Sequence, residues 1–147
     1  MGLRTLAGRA DFEAFAAEFA RVLKPGDVVA LAGPLGAGKT TFVRSVVVAL
    51  HGADTATSPT FTFRHRYAPP PSGSHAGGTA IEHLDLFRVE DPRELRELGL
   101  DDAFSGDAIV LVEWWERAPE LLPARRYEIE IQGSGEEPRT VSVRAPS

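Results

Sequence analysis

The chain has 147 residues, a length that fits one domain and leaves little room for two. Its formal charge is −5, from 16 Lys and Arg against 21 Asp and Glu, which argues against a protein whose main task is to hold a nucleic-acid backbone. There is no cysteine, which excludes disulfides, thiolate zinc sites and a cysteine nucleophile. No apolar run approaches the length of a membrane span and no signal peptide is recognisable, so we expect a cytoplasmic protein.

The first predicted elements are a helix, a buried strand and a second helix. Apolar residues recur at helical spacing over 11–23, which predicts an amphipathic helix. The short, nearly unbroken apolar run at 27–32 is typical of a strand buried on both faces. Valine and leucine residues on one side of 39–50 predict a helix that ends before Gly52.

The middle of the chain predicts two strands and a loop. Residues 60–67 alternate between aromatic and polar side chains, as a strand does, and 81–86 are a second strand candidate. The Pro-, Gly- and Ser-rich segment 68–79 predicts a flexible surface loop, because it has too few apolar side chains to offset its ordering entropy.

A short helix is predicted after this loop, followed by three more strands. Asp91 is the expected N-cap, Pro92 the first helical residue and Glu94 the capping-box partner, with Leu95 and Leu98 facing inward. The apolar run at 108–112 predicts another central strand, and alternation over 127–131 and 141–143 predicts a C-terminal hairpin. Helices between buried strands indicate a three-layer α/β sandwich with a largely parallel sheet and an antiparallel hairpin at its edge.

Residues 33–40, GPLGAGKT, match the phosphate-binding pattern G-x-x-x-x-G-K-[ST] in full. Glycines such as Gly33 and Gly38 let successive backbone N–H groups point at phosphate oxygens, and the helix that follows adds its positive N-terminal end. Lys39 is expected to reach the β and γ phosphates and Thr40 to bind Mg²⁺. The fold class predicted is therefore that of the P-loop NTPases, in one domain over 1–147.

Two acids at strand ends are candidates to complete this site. A P-loop requires an acid at the end of a neighbouring strand to organise Mg²⁺ and the attacking water. Asp85 ends one predicted strand and Glu113 another, and ligands bind outside the carboxyl ends of such strands. The sequence leaves open which acid orients the water. Trp114 follows Glu113 and packs either under a nucleotide or in the core.

Two further polar residues are weaker candidates. Thr60 lies in the Ser-Pro-Thr segment at 58–60, where P-loop proteins often place a threonine that senses the γ-phosphate. His83 lies two residues before Asp85, and for this histidine we predict a structural role.

Four sequence blocks together resemble the TsaE (YjeE) family of small bacterial P-loop ATPases. They are GPLGAGKTTFVR at 33–44, SPTFTF at 58–63, HLDLFRVEDPRELRELGLDD at 83–102 and VEWWE at 112–116, followed by LP at 122–123. The resemblance implies an ATP-dependent component of the pathway that makes N6-threonylcarbamoyladenosine in tRNA. It implies docking on TsaB- and TsaD-like proteins, which would meet the tRNA. Weak ATPase activity of the isolated protein is expected separately, because no residue is an obvious strong general base for the water.

The resemblance also implies roles for individual residues. Thr40 and Glu113 would hold Mg²⁺, Thr60 and Asp85 would belong to the sensing and hydrolytic region, and Asp11 and Arg139 would contact the nucleotide. The nucleotide would further be held by Gly33, Gly36, Ala37, Gly38, Lys39, Thr40, Thr41 and Trp114. The chain departs from the family pattern in the long segment 68–79 and in having Phe87 where tyrosine is more usual.

Three other functions use the same loop. A small-molecule kinase would need an arginine-bearing lid, for which Arg93 and Arg96 are candidates. A GTPase usually reads guanine through an N-K-x-D segment, and the chain contains no asparagine. In a third alternative, ATP is a structural ligand that only maintains a docking surface.

Overall fold

The computed structural model describes residues 2–52, 64–68 and 79–146. Their strands are β1 (Leu3–Leu6), β2 (Val28–Ala32), β3 (Arg64–Tyr67), β4 (Ala80–Asp85), β5 (Ala108–Glu113), β6 (Tyr127–Gln132) and β7 (Arg139–Arg144). Their α-helices are α1 (Arg9–Ala20), α2 (Lys39–His51) and α3 (Arg93–Glu97). Short 3₁₀ helices cover Leu100–Phe104, Trp115–Arg117 and Pro119–Leu121.

The strands form one seven-stranded sheet in the order β1-β7-β6-β2-β5-β4-β3. The four central strands β6, β2, β5 and β4 are parallel. Antiparallel pairs flank them, with β3 against β4 on one side and β7 and β1 on the other. Every residue of β5 is buried, which is the reason for its continuous apolar sequence.

Helical layers cover both faces of the sheet. On one face, α1 and α2 pack through an aromatic cluster in which the Phe42 ring lies between 5.9 and 6.4 Å from those of Phe12, Phe15 and Phe19. On the other face, α3 and the 3₁₀ helices bury residues such as Leu95 against the sheet. The predicted three-layer α/β sandwich with a largely parallel sheet is therefore confirmed.

Several local predictions need correction. The C-terminal hairpin forms, but it is not the edge of the sheet, because β1 pairs outside β7. Leu98 does not face inward as predicted: α3 ends at Glu97, and the Leu98 side chain is 58% exposed. The predicted capping contact is present, with Asp91 N donating to Glu94 Oε1 at 3.3 Å and Arg93 N donating to Asp91 Oδ1 at 3.0 Å. The N-cap is Pro92 rather than Asp91, however, and α3 begins one residue later than predicted.

Other predictions have altered bounds or lie outside the described residues. The first helix covers Arg9–Ala20 rather than 11–23. Residues 60–63 of the predicted third strand, including Thr60, and residues 69–78 of the predicted loop are outside the described part of the chain. Within that described part, no helix combines the length and apolar character needed to cross a membrane.

A buried carboxylate links β4 to the edge strand β3 through two arginines. Glu82 is fully buried and accepts hydrogen bonds from Arg64 at 2.7 Å and Arg66 at 2.6 Å. We expect Glu82→Gln to lower the free energy of unfolding by about 1 kcal/mol, because Arg64 and Arg66 lose charge-assisted hydrogen bonds but are themselves partly exposed to water. Urea denaturation checks this, with the exposed Glu120→Gln as the control, and an equal loss in both variants would contradict it.

Candidate functional site

The glycine-rich loop connects the end of β2 to the start of α2 and lies close to two other elements. A Cβ at Gly33 would overlap the carbonyl oxygen of Ile131 in β6. Gly38 has φ +111°, a conformation that L side chains rarely adopt, and a Cβ there would come within 3.3 Å of the Phe12 ring. Gly33 is therefore required by the close approach of the β6 backbone, and Gly38 by its positive φ.

Lys39 begins α2 and directs its ammonium group back into this loop. Nζ donates hydrogen bonds to the carbonyl oxygens of Gly33 and of Pro34, the latter at 3.1 Å, and lies 4.1 Å from the centre of the Trp114 ring. The residue is 5% exposed. Burial lowers the pKa of Lys39, while the nearby carboxylates of Glu113, Glu116 and Asp85 oppose that shift. A cation is thus held beside the free amides at the helix N-terminus.

The two predicted acids are neighbours at the carboxyl ends of parallel strands. Asp85 and Glu113 are paired in the register of β4 and β5. The Thr40 hydroxyl donates to both carboxylate oxygens of Glu113, at 3.0 and 3.2 Å. Asp85 Oδ1 accepts the backbone N–H of Phe87 at 3.0 Å. The threonine of the loop motif and one acid are therefore already within hydrogen-bond distance.

Trp114 leaves β5 in a strained conformation that places its ring beside the loop. Its φ is +57°, and among the described residues it is the only one other than glycine with a positive φ. Its ring lies 4.9 Å from that of Phe87, and the guanidinium of Arg117 lies 6.0 Å from its centre. An aromatic and cationic rim therefore borders the loop on the side of β4 and β5.

Two cavities open at this end of the sheet and share Gly38 and Thr41. The first, which we call the loop cavity, has a volume of about 340 Å³ and is lined by Leu35, Gly36, Gly38, Lys39, Thr40, Thr41, Asp85, Phe87, Glu113 and Trp114. The second, the side cavity, has about 400 Å³ and is lined by Leu6, Ala7, Gly8, Arg9, Phe12, Ala37, Gly38, Thr41, Gly135, Glu136, Glu137 and Arg139. Both volumes fall in the range of small-ligand sites.

Arg139 of β7 connects the side cavity to the glycine-rich loop. Its Nε donates to the carbonyl oxygen of Ala37 at 2.7 Å, and its terminal nitrogens donate to carbonyl oxygens of Gly135 and Glu137 at 3.1 and 2.5 Å. The guanidinium therefore ties the β6–β7 turn to the loop as well as lining the cavity.

Most of the predicted site residues are brought together. The loop cavity contains Gly36, Gly38, Lys39, Thr40, Thr41, Asp85, Glu113 and Trp114, and the side cavity contains Ala37 and Arg139. Asp11 lies exposed in the first turn of α1 and lines neither cavity, whereas its neighbours Arg9 and Phe12 line the side cavity. The predicted role of Asp11 stays a prediction, as does that of Thr60, which lies outside the described residues.

Sequence reasoning missed two features of this site. The side cavity is lined in part by Phe12, which the sequence marked only as one of the apolar residues of the first helix. His83 is fully buried with Nε2 2.6 Å from Glu113 Oε2, a contact that the predicted structural role did not include. Its place two residues before Asp85, on the same side of the strand, was the available signal.

Asp85 gives a pH-dependent prediction. Burial raises the pKa of its carboxyl, so the native state holds the proton more tightly than the unfolded chain, and folding stability falls as the pH rises through that raised pKa. Asp85→Asn keeps an acceptor for the Phe87 N–H and does not ionise. We therefore expect the variant without nucleotide to melt about 2 °C higher than the parent at pH 7. The difference in melting temperature between the variant and the parent should vanish below the ordinary aspartate pKa. A difference that stays constant from pH 3 to 8 would show that ionisation of Asp85 is not its cause.

A glycine-rich loop that leads from a central parallel strand into a helix, with an acid ending the adjacent strand, is the arrangement of a P-loop NTPase fold. The crystal structure of Bacillus subtilis YdiB has the same fold, with a TM-score of 0.75 and 32% identity over 99% of this chain and 85% of that one. The family model described as "Threonylcarbamoyl adenosine biosynthesis protein TsaE" matches residues 6–141, and the chain belongs to this family.

Curated relatives agree with this assignment. A Bacillus subtilis protein named tRNA threonylcarbamoyladenosine biosynthesis protein TsaE is 39% identical over 122 residues, which are 83% of this chain and 72% of the relative. A Rickettsia bellii protein of the same name is 37% identical over 130 residues, covering 88% of this chain and 85% of the relative. The family resemblance predicted from the four sequence blocks is confirmed.

Proposed function

We propose that this protein is a Mg²⁺-dependent ATPase that acts with TsaB- and TsaD-like partners in threonylcarbamoyladenosine modification of tRNA. The observation that carries the chemical part is the contact of Thr40 Oγ1 with the Glu113 carboxylate, next to the Lys39 ammonium in one cavity. The pathway is proposed from the names of the relatives, which describe biosynthesis of tRNA threonylcarbamoyladenosine.

The donor set at Thr40 and Glu113 fits a magnesium ion. Both residues offer hard oxygen ligands, and Mg²⁺ in nucleotide sites is usually held by one or two protein oxygens, with water and phosphate completing its shell. Among the described residues, no three His, Asp or Glu side chains gather into a metal site. When bound, the ion would offset the negative charge of the phosphates.

The nucleotide is proposed to extend across both cavities. Lys39 and the amides that begin α2 attract the phosphates, because a helix N-terminus and an ammonium both favour anions. The glycine-rich loop from Gly33 to Gly38, with Thr41 after it, would enclose them. The side cavity would take the base and sugar against Phe12 and Arg139, since it adjoins the loop cavity at Gly38 and Thr41.

In this proposal the two carboxylates act on the attacking water. Asp85 and Glu113 both line the loop cavity. There either carboxylate would be able to contact a water beside the terminal phosphate of a bound nucleotide. Glu113 also contacts Thr40, so it is the stronger candidate for the metal, whereas Asp85 Oδ2 is available to water. Thr60 is proposed to sense the γ-phosphate.

The partners are proposed to hold the tRNA. A chain with a formal charge of −5 is poorly suited to bind the phosphate backbone alone, since tight backbone binding requires many basic contacts. We expect slow hydrolysis by the isolated protein, acceleration in the complex, and action in the cytoplasm.

The decisive experiment is tRNA modification reconstituted with the two partner proteins over several turnovers. We expect modification to require this protein and ATP, and to be lost with Lys39→Ala but kept with Lys24→Ala. Normal repeated modification by Lys39→Ala would contradict the proposal. Incubation with ATP and a metabolite pool tests the kinase alternative, which a phosphorylated small molecule would support.

A further inference from the structure

His83 is a buried histidine at the centre of the proposed catalytic end of the sheet. It lies on β4, its side chain is fully buried, and its Nε2 is 2.6 Å from Glu113 Oε2. In the β4–β5 register His83 lies opposite Leu111, so it reaches Glu113 diagonally, along the same face as Asp85.

Glu113 itself is only 3% exposed, so water does little to hold its carboxylate. The hydroxyl of Thr40 comes from the first turn of α2, and the imidazole of His83 comes from a central strand. These two groups approach the carboxylate from different elements, which together fix the plane of a side chain that would otherwise rotate about its terminal torsion.

A histidine kept only to fill the core would normally have both ring nitrogens satisfied. His83 Nδ1 is buried and has no hydrogen-bond partner among the described residues. An apolar side chain would fill the same space without an unpaired nitrogen, whose burial is unfavourable. Among the described residues, the polar contact that accounts for a histidine at this position is therefore the one between Nε2 and Glu113.

We propose that His83 is a positioning residue for Glu113: its Nε2–H donates to Oε2 and holds the carboxylate against Thr40 at the loop cavity. The inference rests on the proposed function, in which Glu113 and Thr40 hold Mg²⁺. Carboxylates that ligate metals are themselves hydrogen-bonded, and loss of such a partner typically weakens metal binding about 10- to 100-fold.

The test measures by calorimetry how far Mg²⁺ strengthens ATP binding, as the ratio of the dissociation constants in EDTA and in Mg²⁺. His83→Gln places an amide donor near the position of Nε2, whereas His83→Asn has an amide too short to reach, and His83→Leu has none. We expect the ratio to fall about 10- to 100-fold in His83→Asn and His83→Leu, and to stay within about 3-fold of the parent in His83→Gln.

Leu84→Ala is the matched control, because Leu84 is equally buried on the same strand but faces the opposite side. This variant should melt at a lower temperature while keeping the parent's ratio. Equal ratios in the parent and all three His83 variants would overturn the positioning role. If the parent itself shows no effect of Mg²⁺, the proposed function fails instead.

A measurement on the parent protein tests the inference even if the His83 variants do not fold. With ¹⁵N-labelled histidine, NMR should show a proton on Nε2 of His83, and its signal should shift when Mg²⁺ and ATP are added. A ring with Nε2 unprotonated would overturn the inference, since it could not donate to Glu113.

Discussion

Replacing Lys39 by alanine is expected to weaken ATP binding by about 10- to 100-fold, the effect of losing one or two charge-assisted hydrogen bonds. The ammonium lies inside the glycine-rich loop, bonded to carbonyl oxygens and nearly free of solvent. Its charge is therefore poorly screened and acts strongly on a phosphate that replaces those carbonyls. Calorimetry with ATP and Mg²⁺ measures the change directly.

Lys24→Ala is a matched control, because Lys24 is the chain's other lysine and lies exposed outside both cavities. It should bind ATP as the parent does. The Lys39 variant should remain folded, since removing a buried cation also removes its desolvation cost. Equal ATP affinity in both variants would show that the loop does not grip phosphate through Lys39.

Glu113→Gln is expected to lower the rate of ATP hydrolysis by about 10²- to 10⁴-fold, the usual range for loss of a positioned acid or base. ATP binding in EDTA should stay close to that of the parent, because Lys39 and the amides at the start of α2 are untouched. In Mg²⁺ it should weaken by about 10- to 100-fold, less than hydrolysis does, because a proposed ligand of the ion is lost. The neutral amide keeps the size of the side chain but loses the charge that Mg²⁺ and a polarised water require. Single-turnover assays in the complex with the partners separate the chemical step from binding.

Two other variants are needed to interpret the hydrolysis rate of Glu113→Gln. Glu120→Gln is the control, since Glu120 is an exposed carboxylate outside both cavities. Asp85→Asn tests the neighbouring acid at the paired position of β4. If Glu113→Gln hydrolyses ATP like the parent while Asp85→Asn does not, the principal catalytic role belongs to Asp85.

The sheet and the position of the site were predictable because both depend on local patterns. Continuous apolar runs mark strands buried on both faces, so β2 and β5 were recognisable one at a time. The carboxyl ends of parallel strands meet at one edge, which placed Asp85 and Glu113 near Lys39 before their distances were known.

Strand β1 and the end of helix α3 could not be predicted from the sequence, because they depend on a short segment or on contacts with distant residues. The four-residue strand β1 has three exposed side chains, and its order comes from pairing with β7 at the far end of the chain. Leu98 has the spacing of a core residue, but α3 ends one residue before it, and the side chain stays in solvent. Helix ends depend on tertiary packing, which periodicity does not report.

By itself, the sequence determined the α/β sheet, the glycine-rich loop, its lysine and threonine, and the two acids that end β4 and β5. Each of these follows from neighbours within a few residues, where backbone geometry and hydrophobic spacing act directly. Only the tertiary structure decided that Arg139 holds Ala37, that Phe12 lines the side cavity and that His83 contacts Glu113. Those contacts join residues far apart in the chain, and the packing of the sheet and helices brings them together.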